Sequence, residues 1–332
     1  MVGTTIKHIG VVGTGSWATA LIKVLTENGH RVNWYFRKSS VSAKILETKR
    51  NPKYLSNTIL QTDQINFYTD LDLFICESDI LLFAIPSAFF LKVFKSTACL
   101  KEKILISAVK GILPEYHQTV SEYFIETLQV PAENVVIISG PSHAEEVALQ
   151  KKTYLAFSSK SDATAKKIGQ LFSTDYIYTH YSNDVKGVEY AAVLKNVYAI
   201  GVGIANGLGY GDNFIAILLS RAAKEMHAFL YALHLNDRDF LSASYLGDLV
   251  VTAYSEYSRN RRLGYFTGQT ESIEKALGKM KMIAEGYYNA KSIHLKNKEL
   301  KVSIDFAETV YHILFQKKDP KSAFREMESL LN

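Results

Sequence analysis

The chain has 332 residues, enough for about two domains, and its 47% hydrophobic and 21% charged residues are those of a folded globular protein rather than a disordered chain. A net charge of +5 is too mild to argue for nucleic acid, but it suits a small anionic ligand. The longest apolar run, Ile80 to Leu91, is interrupted by Pro86 and Ser87 and is too short to cross a bilayer, so no membrane span is expected.

Cys76 and Cys99 fit neither a metal-ligand spacing nor a disulfide framework. No metal is expected, and a reducing cytoplasm is the expected location. Lys7 and His8 lead straight into a strand-like run, which argues against a signal peptide.

In chain order, Ile6 to Val12 reads as a strand, followed by GTGSWA from Gly13 to Ala18. An amphipathic helix is predicted from about Trp17 to Asn28, ended by Gly29, and a second strand from Arg31 to Phe36. Strand, glycine turn, helix and strand open a dinucleotide-binding unit. Gly13 permits the tight turn, and Gly15 lets the backbone approach a pyrophosphate. The helix N-terminus presents free N–H groups to the anion, and Ala18 is small enough for close helix–strand packing. NAD use predicts an acid at the end of the second strand. Arg37 and Lys38 stand there instead, which favours NADPH by offering cations to a 2′-phosphate.

Asn51-Pro52-Lys53-Tyr54-Leu55 reads as an ordered loop. Asp79 to Ile85, Lys103 to Val109 and Asn134 to Ser139 read as buried strands of a parallel sheet. Lys110 follows the second of these and points toward the cofactor edge, unless it is an ordinary basic turn residue. Gly140-Pro141-Ser142 follows the third, and Ser142 with Glu145 has capping-box spacing for the next helix. Lys152 to Ser158 and Asp175 to Thr179 complete the strands.

After about Asn183 the pattern turns helical. Helices are predicted over Val185–Asn206, Asn213–Leu233, Asp237 to about Tyr257, Ser272–Leu277, Asn289–Asn297 and Ser303–Phe315. A last helix opens with Asp319 as N-cap and Pro320 at N1. The expected fold is an α/β Rossmann-type N-terminal domain with a parallel sheet (1–184), followed by an all-α C-terminal domain (185–332).

Lys195 lies in an otherwise apolar, small-residue helical stripe with Val188, Ala191, Ala192, Ala199 and Val202. Burial of an ammonium is costly and lowers its pKa. The position fits either a snorkelling lysine or a proton donor and acceptor where two domains meet. Asp248, in Leu246-Gly247-Asp248-Leu249, is a carboxylate in an apolar setting and needs a cationic partner. Ser258-Arg259-Asn260-Arg261-Arg262 is dense in phosphate donors, although Arg261 and Arg262 also fit a solvated basic face.

These motifs resemble bacterial NAD(P)-dependent glycerol-3-phosphate dehydrogenases almost end to end. GTGSWATAL, NPKYL, AIPS, VKGI and GPSHAEEV stand in family order. They are followed by GVEYAAVLKNVYAIGVGIANGLGYGDN, LGDLVVTAYSEYSRNRRLG and AEGYYNA. The resemblance implies reversible conversion of dihydroxyacetone phosphate to sn-glycerol 3-phosphate with NADP or NAD, supply of that product to phospholipid synthesis, and a homodimer. It implies that Gly13, Gly15, Ser16, Trp17, Arg37, Lys110, Ala144, Arg259, Ile283 and Glu285 contact the cofactor. It places Lys110, Gly140, Ser142, Lys195, Asp248, Ser258, Arg259 and Asn260 at the substrate. Lys195 is then the general acid/base, oriented by Asp248. The sequence departs from the family pattern at Ala18 (usually glycine), Ser56 (often proline), Tyr245, Ala253 and Asn289 (threonine). Two other readings are a lysine-dependent hydroxy-acid dehydrogenase, which needs a carboxylate site, and a nucleotide-sensing protein without catalysis.

Overall fold

The structure is a computed structural model that describes residues 8–93, 100–233, 238–270, 272–280 and 282–331. The expectations for Ile6, Lys7, Cys99 and Asp237 fall outside them. The chain forms two compact units. One comprises residues 1–109 and 120–185, the other 110–119 and 186–332. Residues 110–119, read from sequence as part of a continuous first domain, therefore belong with the second unit.

The first unit is built on eight strands: β1 (Ile9–Val12), β2 (Val32–Tyr35), β3 (Ile65–Tyr68), β4 (Ile80–Phe83), β5 (Ile104–Ser107), β6 (Val135–Ser139), β7 (Thr153–Ser158) and β8 (Ile177–Ser182). Its helices are α1 (Ser16–Glu27), α2 (Ser39–Thr48), α3 (Leu71–Cys76), α4 (Phe90–Val93), α5 (Val120–Glu122), α6 (Ala144–Ala148) and α7 (Asp162–Gln170). The strand order is β3-β2-β1-β4-β5-β6-β7-β8. Ile9 pairs with Val32 on one side and Ile80 on the other, so the order reverses at β1. In such sheets ligands bind beyond the carboxyl ends of the strands at this switch point. Here the Gly13 turn occupies that position. Every residue of β1 and β4 is buried, as expected of strands covered on both faces.

One pair departs from the parallel expectation: β6 and β7 are antiparallel. The connection between them carries the five-residue α6, which advances the chain about 7 Å. A strand this long spans roughly 16 Å, so α6 cannot return the chain to the starting edge.

The second unit is helical: α8 (Val185–Leu208), α9 (Asp212–Leu233), α10 (Asp248–Tyr254), α11 (Arg259–Thr270), α12 (Ile273–Gly278), α13 (Glu285–Leu300), α14 (Asp305–Phe315) and α15 (Pro320–Leu330). Among the described residues α8 alone is long and apolar enough to cross a membrane, and 83% of its most apolar window is buried inside the protein. The α15 start matches its sequence signal, with Asp319 accepting from Ser322 N at 2.8 Å.

Three helix predictions require correction. The expected helix to Tyr257 is broken by a π-turn at Ala243–Gly247, after which Asp248 begins α10. α13 starts at Glu285, four residues before the predicted Asn289. α11 was not predicted, and its Gly264 and Gly268 are poor helix formers. They are packing residues. A Cβ at Gly264 would strike the Ile200 carbonyl of α8, and one at Gly203 of α8 would strike the Arg261 carbonyl of α11. Glycines spaced four apart on both helices let the two backbones touch, and that contact offsets their poor helix propensity.

Candidate active site

In the first unit the site begins with the β1–α1 turn. Gly13 has φ +132°, and a Cβ there would collide with the Ala84 carbonyl after β4, so the turn requires glycine. The Gly13 carbonyl accepts from the buried Trp34 indole at 2.6 Å. Gly15 is the N-cap of α1, no side chain caps that helix, and its first turn holds no acid. A Cβ at Gly15 would meet open space, leaving the α1 amides approachable by an anion. Trp17 Nε1 is buried with no hydrogen-bond partner among the described residues, and Ser16 is buried beside it. These features fit a dinucleotide pyrophosphate. Arg37 and Lys38 are exposed immediately before α2, with no acid in the first turn of α2.

Asn51 was not identified as a site residue from sequence, yet it holds this turn. Its Nδ2 donates to the Thr14 carbonyl at 3.0 Å and to Thr19 Oγ1 at 2.8 Å, and Thr19 Oγ1 donates to the Gly15 carbonyl. Its Oδ1 accepts from Lys53 N and Tyr54 N. The amide is therefore consumed by local structure. An asparagine directly before proline, in a loop otherwise read as merely ordered, was the available signal.

The second loop of this unit follows β6. Gly140 has φ +98°, and its Cβ would press on the Tyr154 carbonyl. The capping box expected of Ser142 and Glu145 does not form. His143 is the N-cap of α6, and the Ser142 hydroxyl donates back to the Gly140 carbonyl at 2.9 Å. The left-handed turn at Gly140 places that carbonyl within reach of Ser142, and α6 begins one residue too late for Ser142 to cap it. Ala144 opens α6 and is buried.

The second unit brings Lys110, Lys195 and Asp248 together. Lys195 of α8 forms an ion pair with Asp248 Oδ1, and Lys110 Nζ stands 3.8 Å from Asp248 Oδ2. Lys195 and Asp248 are 3% and 2% exposed, which rules out a snorkelling lysine. Burial pushes the Lys195 ammonium down from an ordinary value of 10.5 to about 7. Asp248 opposes that shift and the Lys110 charge reinforces it. Asp248 Oδ2 has no hydrogen-bond partner among the described residues. A buried carboxylate oxygen in this state leaves the centre able to accept a further donor.

An asparagine network surrounds this centre. The Lys110 carbonyl accepts from Asn196 Nδ2 of α8 at 3.2 Å and from Asn289 Nδ2 of α13 at 3.0 Å. Asn260 of α11 donates to Asn196 Oδ1 at 2.8 Å and accepts from Gly286 N at 2.9 Å. A Cβ at Gly286 would strike the Asn196 carbonyl, so α13 begins in backbone contact with α8. Asn260, expected at the substrate, thus ties three helices together. Asn196 and Asn289 were passed over. Asn196 had a signal, a polar amide in the apolar α8, while Asn289, noted only as a departure from the family pattern, lies in a helix rich in polar residues and had none. Ser258 precedes α11, and its Oγ accepts from Arg261 N at 3.2 Å. Arg259 opens α11 half-buried, Arg262 is exposed on the solvated face, and Ile283 and Glu285 are half-buried around the start of α13.

A switch-point glycine turn on a Rossmann-type sheet and a buried lysine–aspartate pair in a helical unit define a nicotinamide-dependent oxidoreductase. Models of the NAD-dependent glycerol-3-phosphate dehydrogenase N-terminus and C-terminus match residues 8–165 and 184–325. A Geobacillus kaustophilus glycerol-3-phosphate dehydrogenase [NAD(P)+] is 39% identical over 96% of this chain and 93% of its own. One from Oceanobacillus iheyensis is 36% identical over 98% and 94%. The crystal structure of a Coxiella burnetii glycerol-3-phosphate dehydrogenase superposes with a TM-score of 0.89 at 27% identity, covering 97% of this chain and 98% of that one. The chain belongs to the NAD(P)-dependent glycerol-3-phosphate dehydrogenase family, oxidoreductases acting on a CH–OH group.

Proposed function

We propose that the enzyme interconverts dihydroxyacetone phosphate and sn-glycerol 3-phosphate, with Lys195 as the proton donor and acceptor. The bound nicotinamide supplies or receives the hydride. Negative charge then develops on the C2 oxygen of the substrate, and the Lys195 ammonium stabilises it and delivers a proton. In the opposite direction neutral Lys195 takes the hydroxyl proton. The observation that carries this reading is the buried Lys195–Asp248 pair with Lys110 at its other oxygen: burial there, against the pull of Asp248, brings the lysine to about 7, where both protonation states are populated. Asp248 orients the ammonium. Arg259, with Lys110, meets the substrate phosphate as a charge-assisted donor. Asn260 and Ser258 act on the frame, through Asn196, Gly286 and Arg261.

At the cofactor, the α1 N-terminus takes the pyrophosphate and Trp17 offers its unpaired Nε1. NADPH is the preferred form, because Arg37 and Lys38 stand where an acid would select the unphosphorylated ribose. A cytoplasmic homodimer supplying a glycerophospholipid precursor completes the reading.

The test is oxidation of NADPH and NADH with dihydroxyacetone phosphate. Turnover with both, faster at low NADPH, is the expected result, and Arg37→Ala should narrow the gap between them. Turnover with NADH alone overturns the cofactor assignment. No turnover by protein shown to bind NADPH overturns the reaction.

A further inference from the structure

We propose that Asn289 is a positioning residue of the reaction: by donating its amide to the Lys110 carbonyl, it fixes where the Lys110 ammonium stands beside Asp248. This rests on the reading of Lys195 as proton carrier.

The argument starts from the place of Lys110 in the chain. It lies three residues beyond the end of β5, outside any strand or helix. Its carbonyl takes no backbone donor among the described residues. It is held instead by Asn196 and Asn289, which occupy both acceptor sites of the oxygen. The stem of a lysine is flexible, so a fixed main-chain anchor narrows the reach of its ammonium.

Asn289 is fully buried, and its Oδ1 has no hydrogen-bond partner among the described residues. Burying an unsatisfied amide oxygen is costly, and an apolar side chain would avoid that cost. What the asparagine supplies in return is the 3.0 Å donation to Lys110. Asn289 is itself held in place, since α13 is locked three residues earlier by the Gly286 N–H on Asn260.

Lys110 acts on Lys195 through charge. Among the described residues the charged groups facing Lys195 are Asp248 from α10 and Lys110 from the 110–119 segment. Asp248 favours the ammonium and Lys110 disfavours it. Without the Asn289 donor Lys110 is held by one amide and moves more freely, its repulsion on Lys195 weakens, and the ammonium persists to higher pH.

The experiment compares wild type with Asn289→Leu, which has similar volume and no donor, and Asn289→Thr, which retains a hydroxyl donor. Asn289→Ala replaces the leucine variant if that one melts early. The readout is the pH profile of glycerol 3-phosphate oxidation, where neutral Lys195 is the active form. The donor-free variant should shift its midpoint upward by about half to one pH unit and lose roughly 3- to 9-fold in rate at pH 6, the loss expected of such a shift below the midpoint. The threonine variant should return toward wild type. Unshifted midpoints in both variants overturn the proposal. Equal shifts in both also overturn it, because the donor is then not the cause. Lys195→Ala separates the two levels. If it retains near wild-type turnover, the acid/base reading falls and this proposal with it. If it is inactive while the Asn289 profiles match wild type, this proposal alone falls.

Discussion

The glycine turn of the first unit and the lysine centre of the second solve binding in opposite ways. The turn offers main chain. Gly13 and Gly15 remove side chains, and the amides at the start of α1 are left for an anion. The lysine centre offers side chains, Lys195 and Asp248 buried and Lys110 half-buried, whose charges set one another. Asp248 holds Lys195 at one oxygen, Lys110 approaches the other, and three asparagines fix the frame. A main-chain site tolerates change wherever glycine and a small neighbour are kept. A buried charge cluster does not, because each member left alone becomes an uncompensated charge or an orphaned donor. Cofactor binding and proton transfer should therefore fail differently under mutation.

The sharpest break comes from Asp248→Asn. Removing one partner of a buried pair costs about 3–5 kcal/mol, so the melting temperature should fall. Without the carboxylate Lys195 favours its neutral form still more, and reduction of dihydroxyacetone phosphate at pH 7 should drop by about 10²-fold or more, the scale of general acid catalysis. Tight NADPH binding should survive. Loss of NADPH binding in a folded variant would contradict the separation drawn here.

Next is the pH dependence of the wild-type enzyme. Lys195 is lowered to about 7, chiefly by burial. With Lys195 as the proposed proton carrier, the reductive rate should fall as pH rises through about 7, and the oxidative rate should rise over the same range. Linkage gives the matching sign for stability. The folded chain releases this proton near 7 while the unfolded chain holds it to about 10.5, so this group's contribution makes the fold more stable with rising pH across that window. Profiles in both directions, with melting of wild type and Lys195→Met from pH 6 to 10, check both statements. Parallel profiles in the two directions would exclude a shared proton carrier.

The smallest effect belongs to the glycine turn. Asn51→Ala removes two donors to Thr14 and Thr19 and should raise KM for NADPH by about 5- to 10-fold with kcat nearly unchanged, as about 1–1.5 kcal/mol of hydrogen bonding implies. A fall in kcat at unchanged KM would mean that the turn acts on chemistry as well as on binding.

Sequence by itself determined the parts that depend on near neighbours. Apolar runs marked every strand except β3 (Ile65–Tyr68), Gly13 and Gly15 marked the turn, Asp319-Pro320 marked the start of α15, and a lysine in an apolar stripe marked Lys195. In each case the deciding contacts lie within a few residues, where spacing is a sufficient record. Tertiary structure alone decided the antiparallel β6–β7 pair, the helix at α11, the fate of Ser142 and the asparagine frame. α11 exists because Gly264 and Gly268 meet α8, which local propensity opposes. The frame joins residues 86, 64 and 179 positions apart, from Lys110 to Asn196, Asn196 to Asn260 and Lys110 to Asn289. An amide's partner over such distances is chosen by helix packing, and no local pattern in the chain encodes it.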